Sequence, residues 1–245
     1  MLAYIVSIYY WTFVLSSSLL LFPLAALIWV LSMPFDRRRL ILHRYTCFWA
    51  SLYTWLNPYW RVKIENRDLV KPGEVYIITP NHQSLVDILV LFRLFLHFKY
   101  ISKIELFRIP IIGWNMRMNQ YIQLARGGIK SIISMMKNCM KALHEGNSLI
   151  IFPEGTRSED GEIQEFRDGA FELALKTKKT ILPLAIYGSS QALPKKGVIL
   201  RGKTLIRVRI LQPIPHEEYK DMDAEALTLA VREKIVQAVK EMASA

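Results

Sequence analysis

The first 35 residues of the chain carry no charged side chain. They are mostly Leu, Ile, Val, Ala, Phe, Tyr and Trp, and the run is well beyond the roughly 18 apolar residues that mark a candidate membrane helix. A secretory signal is the poorer reading, because no Lys or Arg precedes the stretch and it is longer than an h-region of roughly 7–15 residues. Pro23 and Pro34 are expected to interrupt it. Asp36-Arg37-Arg38-Arg39 closes the run, and Arg44 follows. Residues 45–60 are again uncharged and hold Trp49, Tyr53, Trp55, Tyr59 and Trp60, aromatics of the kind that favour the headgroup level. Two arrangements remain open. One helix crosses the bilayer with the arginines on the cytoplasmic side, or segments 1–34 and 40–60 form a helical hairpin sunk into one leaflet. Either way the chain is expected on the cytoplasmic face of the cell membrane, monotopic or single-pass.

The rest of the chain has a different composition. Residues 1–60 hold four Arg and one Asp, so 48 of the 53 charged groups and +8 of the +11 net charge fall in residues 61–245. That density is ordinary for a soluble domain. The expected division is therefore a membrane-anchoring segment, 1–60, and an α/β domain, 61–245. Eleven Phe, eleven Tyr and six Trp exclude a disordered chain, and two cysteines, Cys47 and Cys139, exclude a disulfide scaffold. The basic excess suits anionic headgroups and anionic substrates. No nucleic-acid motif accompanies it, so nucleic acid is not an expected partner.

Strand-like and helical patterns alternate from residue 60 onward. Strands are expected at 60–65, 75–79, 98–102, 121–125, 148–152, 180–187 and 203–211. Helices are expected at 84–96, 166–176 and from Asp223, as cap, to about Met242. Ile129, Ile132, Ile133, Met136, Met140 and Leu143 recur at helical spacing before Gly146, and that stripe reads most simply as core. The pattern implies a mixed β-sheet flanked by helices, preceded by an N-terminal membrane-associated helical hairpin.

Two segments carry chemistry. In Pro80-Asn81-His82-Gln83-Ser84-Leu85-Val86-Asp87, a strand gives way to an apolar helix, where α/β sheets place their sites. Within one helix His82 and Asp87 would diverge, but Ser84 fits an N-cap with Asp87 at N3. A first-turn carboxylate can then reach an imidazole in the turn ahead and fix its tautomer. A plain capped helix with a surface histidine fits the spacing equally well. The second segment, Phe152-Pro153-Glu154-Gly155-Thr156-Arg157-Ser158, has a glycine that exposes backbone, a guanidinium fork suited to phosphate and two hydroxyls. Taken alone it is equally an ordinary loop with a solvated arginine.

Together, Asn-His-x-x-x-x-Asp and Phe-Pro-Glu-Gly-Thr-Arg-Ser some seventy residues later resemble the glycerolipid acyltransferase family, most closely the bacterial 1-acylglycerol-3-phosphate acyltransferases (lysophosphatidic acid acyltransferases). Lys103-x-Glu105-Leu106-x-x-x-Pro110-x-x-Gly113, Ile122-x-Leu124-x-Arg126 and Leu182-Pro183-Leu184 also match, so the resemblance covers about residues 60–215. One departure is Gln120, where the family often has Gly. The resemblance implies acyl transfer to the sn-2 hydroxyl of 1-acylglycerol 3-phosphate, giving phosphatidic acid for phospholipid biosynthesis. Acylation of glycerol 3-phosphate or another lysophospholipid, or lipid binding without turnover, is the alternative. His82 and Asp87 are then the catalytic pair. The Glu154–Arg157 turn, with Gly155 and Thr156, takes the acceptor phosphate, and Lys103 and Arg126 are further phosphate contacts. A backbone N–H near Gly155 is a candidate oxyanion donor. No metal and no cofactor is expected. The partners implied are membrane phospholipids, lysophosphatidic acid and an acyl-CoA or acyl-carrier-protein donor. No Gly-x-Ser-x-Gly elbow occurs, which agrees with the acceptor hydroxyl being the nucleophile.

Overall fold

A computed structural model describes residues 1–125, 128–159 and 161–244. The chain opens with α1 (Leu2–Ser32) and α2 (Leu40–Trp55), then alternates β1 (Trp60–Glu65), β2 (Tyr76–Pro80), α3 (Val86–Phe92), β3 (Phe98–Lys103), α4 (Ile112–Met118), β4 (Ile122–Leu124), α5 (Ile129–His144) and β5 (Ser148–Ile150). It continues through α6 (Gly169–Thr177), β6 (Thr180–Tyr187), α7 (Ser189–Ala192), β7 (Thr204–Ile210), α8 (His216–Tyr219) and α9 (Ala224–Ser244). The seven strands form one mixed sheet in the order β1-β7-β6-β2-β5-β3-β4. All neighbours are parallel except β6 and β7. Strands β6, β2, β5, β3 and β4 therefore end on a common edge. The central strands are buried on both faces, which is why β2 and β6 read as continuous apolar runs.

The hairpin is an integral layer of this structure. Tyr10, Ala25, Leu42, Trp49 and Tyr53 share one apolar core with Ile78, Leu182 and Val208 of the sheet. Helix α1 turns a narrow stripe inward, Ser7, Tyr10, Ser18, Ala25 and Ser32, flanked by partly buried Val14, Leu21 and Ile28, and leaves Ile8, Leu15, Leu20 and Leu31 exposed. Small side chains on that stripe let the backbones approach closely. Ser7 Oγ accepts from Leu200 N–H at 2.9 Å, Trp11 Nε1 donates to the Val198 carbonyl at 2.6 Å, and Phe22 lies 5.5 Å from the Trp114 ring. At the turn, Asp36 caps α2 through the N–H groups of Leu40 and Ile41, and buried Lys99 donates to the carbonyls of Arg38 and Asn119.

Three expectations change. Pro23 sits inside an unbroken α1, and Tyr45 Oη of α2 donates to the Leu21 carbonyl on the turn before it. The helix expected at 84–96 is only Val86–Phe92, and Phe95 beyond it is left-handed at φ +54°. The α5 stripe divides: Leu143 and Cys139 are core, but Ile129, Ile132 and Ile133 are 76%, 53% and 50% exposed. Gln120, the departure from the family pattern, has φ +57°, so the backbone keeps the conformation that glycine favours. Gly113 has the opposite constraint: a Cβ there would fall 2.3 Å from the Phe107 carbonyl oxygen.

Candidate active site

The site forms at the C-terminal end of β2. Asn81, fully buried, clamps that end to β6, its side-chain amide donating to the Ile186 carbonyl and accepting from the Ile186 N–H. His82 follows. Its Nδ1 lies 2.9 Å from Asp87 Oδ2. The same oxygen accepts the N–H groups of Gln83 and Ser84 at 2.6 and 2.8 Å. Asp87 is fully buried, and its Oδ1 has no partner among the described residues. A carboxylate can only accept, so Nδ1 carries the hydrogen and Nε2 keeps its lone pair. The ring plane is held by Phe152, stacked at 3.9 Å and 23°.

The capping box expected at Ser84 is half realised. Asp87 reaches back to the Ser84 N–H, but Ser84 Oγ accepts from Val86 N–H and donates to the Leu193 carbonyl. Asp87 therefore serves the helix start and the imidazole with one oxygen.

The Phe152–Ser158 turn is fastened to His82 through both peptide groups of that residue. His82 N–H donates to Glu154 Oε1 at 2.5 Å, and Ser158 N–H donates to the His82 carbonyl at 2.9 Å. Glu154 Oε2 accepts from Gln164 N–H. Both oxygens of this buried carboxylate are thus occupied by backbone, so its contacts make it a brace for His82 rather than a phosphate ligand, contrary to the expected role. Burial pushes its carboxyl up to about 7, against the pull of the two N–H donors. Gly155 adopts φ +69°, and its N–H is spent on the Phe152 carbonyl, so it is not an oxyanion donor in this geometry. Thr156 is exposed on the turn. Arg157 is half-buried, with Nη1 donating to the Lys195 carbonyl at 3.2 Å.

The structure adds a residue that the motifs do not contain. A Cβ on Gly155 would meet the Arg167 guanidinium at 3.1 Å, so Arg167 lies directly against the open face of that glycine. Arg157 of the turn points instead to the Lys195 carbonyl. Lys103 is exposed at the end of β3, on the same sheet edge but two strands from β2, a lateral offset of about 10 Å. Arg126 lies outside the described residues.

An imidazole whose Nδ1 is held by a buried carboxylate is the arrangement that general-base chemistry at Nε2 requires, and the turn fastened to it carries Arg157 and lies against Arg167. The sequence profile of the family described as Acyltransferase matches residues 61–187, just over half of the chain. The chain belongs to that acyltransferase family.

Among curated relatives, the chloroplastic 1-acyl-sn-glycerol-3-phosphate acyltransferase LPAT1 of Arabidopsis thaliana is 34% identical over 209 residues, covering 84% of this chain and 56% of the relative. A 1-acyl-sn-glycerol-3-phosphate acyltransferase of Chlamydomonas reinhardtii is 34% identical over 239 residues, covering 95% and 71%. A bacterial one, from Borreliella burgdorferi, is 30% identical over 162 residues, covering 66% and 64%. The chain spans about half the length of the Arabidopsis protein and of a similar Brassica napus protein, 56% and 52%. The crystal structure of the 1-acyl-sn-glycerophosphate acyltransferase PlsC from Thermotoga maritima shares the fold, with a TM-score of 0.81 at 22% identity over 98% of this chain and 96% of that one.

Proposed function

We propose that this chain transfers a fatty acyl group from an acyl thioester to the sn-2 hydroxyl of 1-acylglycerol 3-phosphate, forming phosphatidic acid. The observation that carries the reading is the fastening of the His82–Asp87 pair to the guanidinium-bearing turn through both His82 peptide groups. That arrangement holds a base at a set distance from a phosphate site, as acylation of a phosphate-bearing alcohol requires.

His82 Nε2 takes the hydroxyl proton while Asp87 holds Nδ1–H and stabilises the imidazolium. The acceptor oxygen attacks the thioester carbonyl, the tetrahedral intermediate loses its C–S bond, and Nε2–H returns the proton to the departing thiolate. Arg157 and Arg167 hold the acceptor phosphate. Glu154 is a positioning residue. The donor is acyl-CoA or an acyl-carrier protein, since both present the same thioester carbonyl.

Attachment to a membrane is part of the proposal. Helix α1 is long and apolar enough to cross a bilayer. Its fastening to the domain from Ser7 to Phe22, together with α2 beside it, favours a hairpin lying in one leaflet over a helix that leaves the domain to cross.

The reading is tested by incubating the reconstituted chain with acyl-CoA and with acyl-carrier-protein donors against 1-acylglycerol 3-phosphate, glycerol 3-phosphate and lysophosphatidylcholine. Phosphatidic acid should form fastest. Faster acylation of another acceptor would reassign the substrate, and no product with any pair would leave a lipid-binding protein.

A further inference from the structure

We infer that the catalytic domain itself has a second lipid-facing surface, built on the sheet edge that carries His82, so that the active-site rim rests on the phospholipid surface beside α1. Outside residues 1–60, thirteen large apolar side chains among the described residues are exposed. Ten of them lie on segments that leave the common C-terminal edge of β2, β3, β4 and β6; Phe95, Leu205 and Leu229 are the other three. Scattered apolar residues would not divide this way between the two edges of a sheet.

Seven of the ten form three ridges, and Leu85, Leu106 and Ile109 lie outside them. Ile129, Ile132 and Ile133 share one face of the first turns of α5, at i, i+3 and i+4, and the helix that holds them buries only its C-terminal part. Ile112 and Trp114 stand on α4, and Trp114 touches Phe22 of α1, so this ridge continues the apolar surface of the hairpin. Val198 and Ile199 project from the loop after α7, where the Val198 carbonyl accepts from Trp11 of α1. Two of the three ridges are thus joined to the helix already assigned to lipid, at two points along its length.

Charge selects the occupant. Exposed cations accompany every ridge: Lys130 and Lys137 on α5, Arg108 and Arg117 around α4, and Arg201 beside Val198, where Lys196 is already paired with Glu159. Helix α5 carries no acidic residue at all. Apolar side chains interleaved with Lys and Arg fit a bilayer interface with anionic headgroups better than a protein partner, whose apolar face would leave those cations uncovered. The surface also explains why the α5 stripe, which has the periodicity of a core helix, is left open at its first two turns.

The inference rests on the proposed membrane attachment but not on the acyl-transfer reading. The full chain is reconstituted in phosphatidylcholine/phosphatidylglycerol vesicles with a spin label at Ile132→Cys, at Val198→Cys, at Leu24→Cys on α1 or at Lys220→Cys beside α8 on the opposite edge. Cys47 and Cys139 are fully buried, so an introduced surface cysteine labels selectively. The labels at 132 and 198 should lose accessibility to an aqueous nickel quencher and gain collisions with oxygen, as the label at 24 does. Accessibility at 132 and 198 equal to that at 220 overturns the inference while the label at 24 still reports attachment. Protection at 132 accompanied by spin–spin broadening that grows with protein density also overturns it, since a second copy would then cover the face.

Discussion

Replacing Asp87 by Asn isolates the charge of the catalytic pair from its geometry. Asp87 Oδ2 accepts three hydrogen bonds, from His82 Nδ1, Gln83 N–H and Ser84 N–H, while Oδ1 is buried and unpartnered. An Asn side chain can therefore put its oxygen in the Oδ2 position and keep all three. The reverse orientation would set its NH2 group against two backbone donors. What disappears is the negative charge beside the imidazolium that forms as the hydroxyl is deprotonated. At roughly 4 Å between charge centres and an effective dielectric of about 20, that interaction is about 4 kcal/mol, or about a thousandfold in rate. Single-turnover acyl transfer should fall by about 10²–10³. The melting temperature should fall by only a few degrees, because the three hydrogen bonds remain and a buried charge is removed, against about 1–3 kcal/mol for the NH2 left without a partner in the Oδ1 position. Turnover within tenfold of native would refute the role given to the charge. A matching collapse in melting temperature would show instead that Asp87 is needed chiefly to fold the turn.

Three further outcomes follow from particular contacts. Gln120→Gly should raise stability by about 1 kcal/mol, seen as a melting temperature about 2–4 °C higher, because a left-handed residue loses its Cβ penalty; an unchanged or lower value would mean the side chain makes up for the strain. Arg157→Ala and Arg167→Ala should each raise KM for a phosphate-bearing acceptor far more than they lower kcat, and an unchanged KM for Arg167→Ala would remove that residue from the site. Glu154, with its folded value near 7 above an unfolded value near 4.5, contributes stability that is present below about 4.5 and lost as pH rises through 7. The difference is on the order of 3 kcal/mol, so Glu154→Gln should flatten the melting temperature between pH 4.5 and 7, and parallel curves for the two proteins would contradict the assignment.

Much of the fold could be read before any coordinates. Strands 60–65 and 180–187 and the Asp223 cap occur where pattern and capping rules put them, since each is specified by neighbours in sequence. For the His82–Asp87 pair local geometry allows the contact but fits a surface histidine equally well, and the family resemblance singles the pair out. Arg167 was not legible, because ten residues separate it from Arg157 and only the return of the chain lays it on Gly155. The family resemblance gives a phosphate role to the whole turn, Glu154 included, and a shared motif does not say which of its side chains point inward. Periodicity marked the α5 stripe but cannot tell whether protein or lipid covers an apolar face. Composition set residues 1–60 apart as an anchor, whereas the contacts of Tyr10, Trp49 and Tyr53 make them part of the domain's core.

The central claim, that His82 is the base for acylation of a membrane acceptor, is tested most directly by measuring phosphatidic acid formed from 1-acylglycerol 3-phosphate and an acyl thioester by the native chain and by His82→Ala in the same vesicles. The native chain should form product, and His82→Ala should lose about 10²–10⁴ of that rate while remaining folded and membrane-bound. Product at the native rate from His82→Ala would contradict the claim.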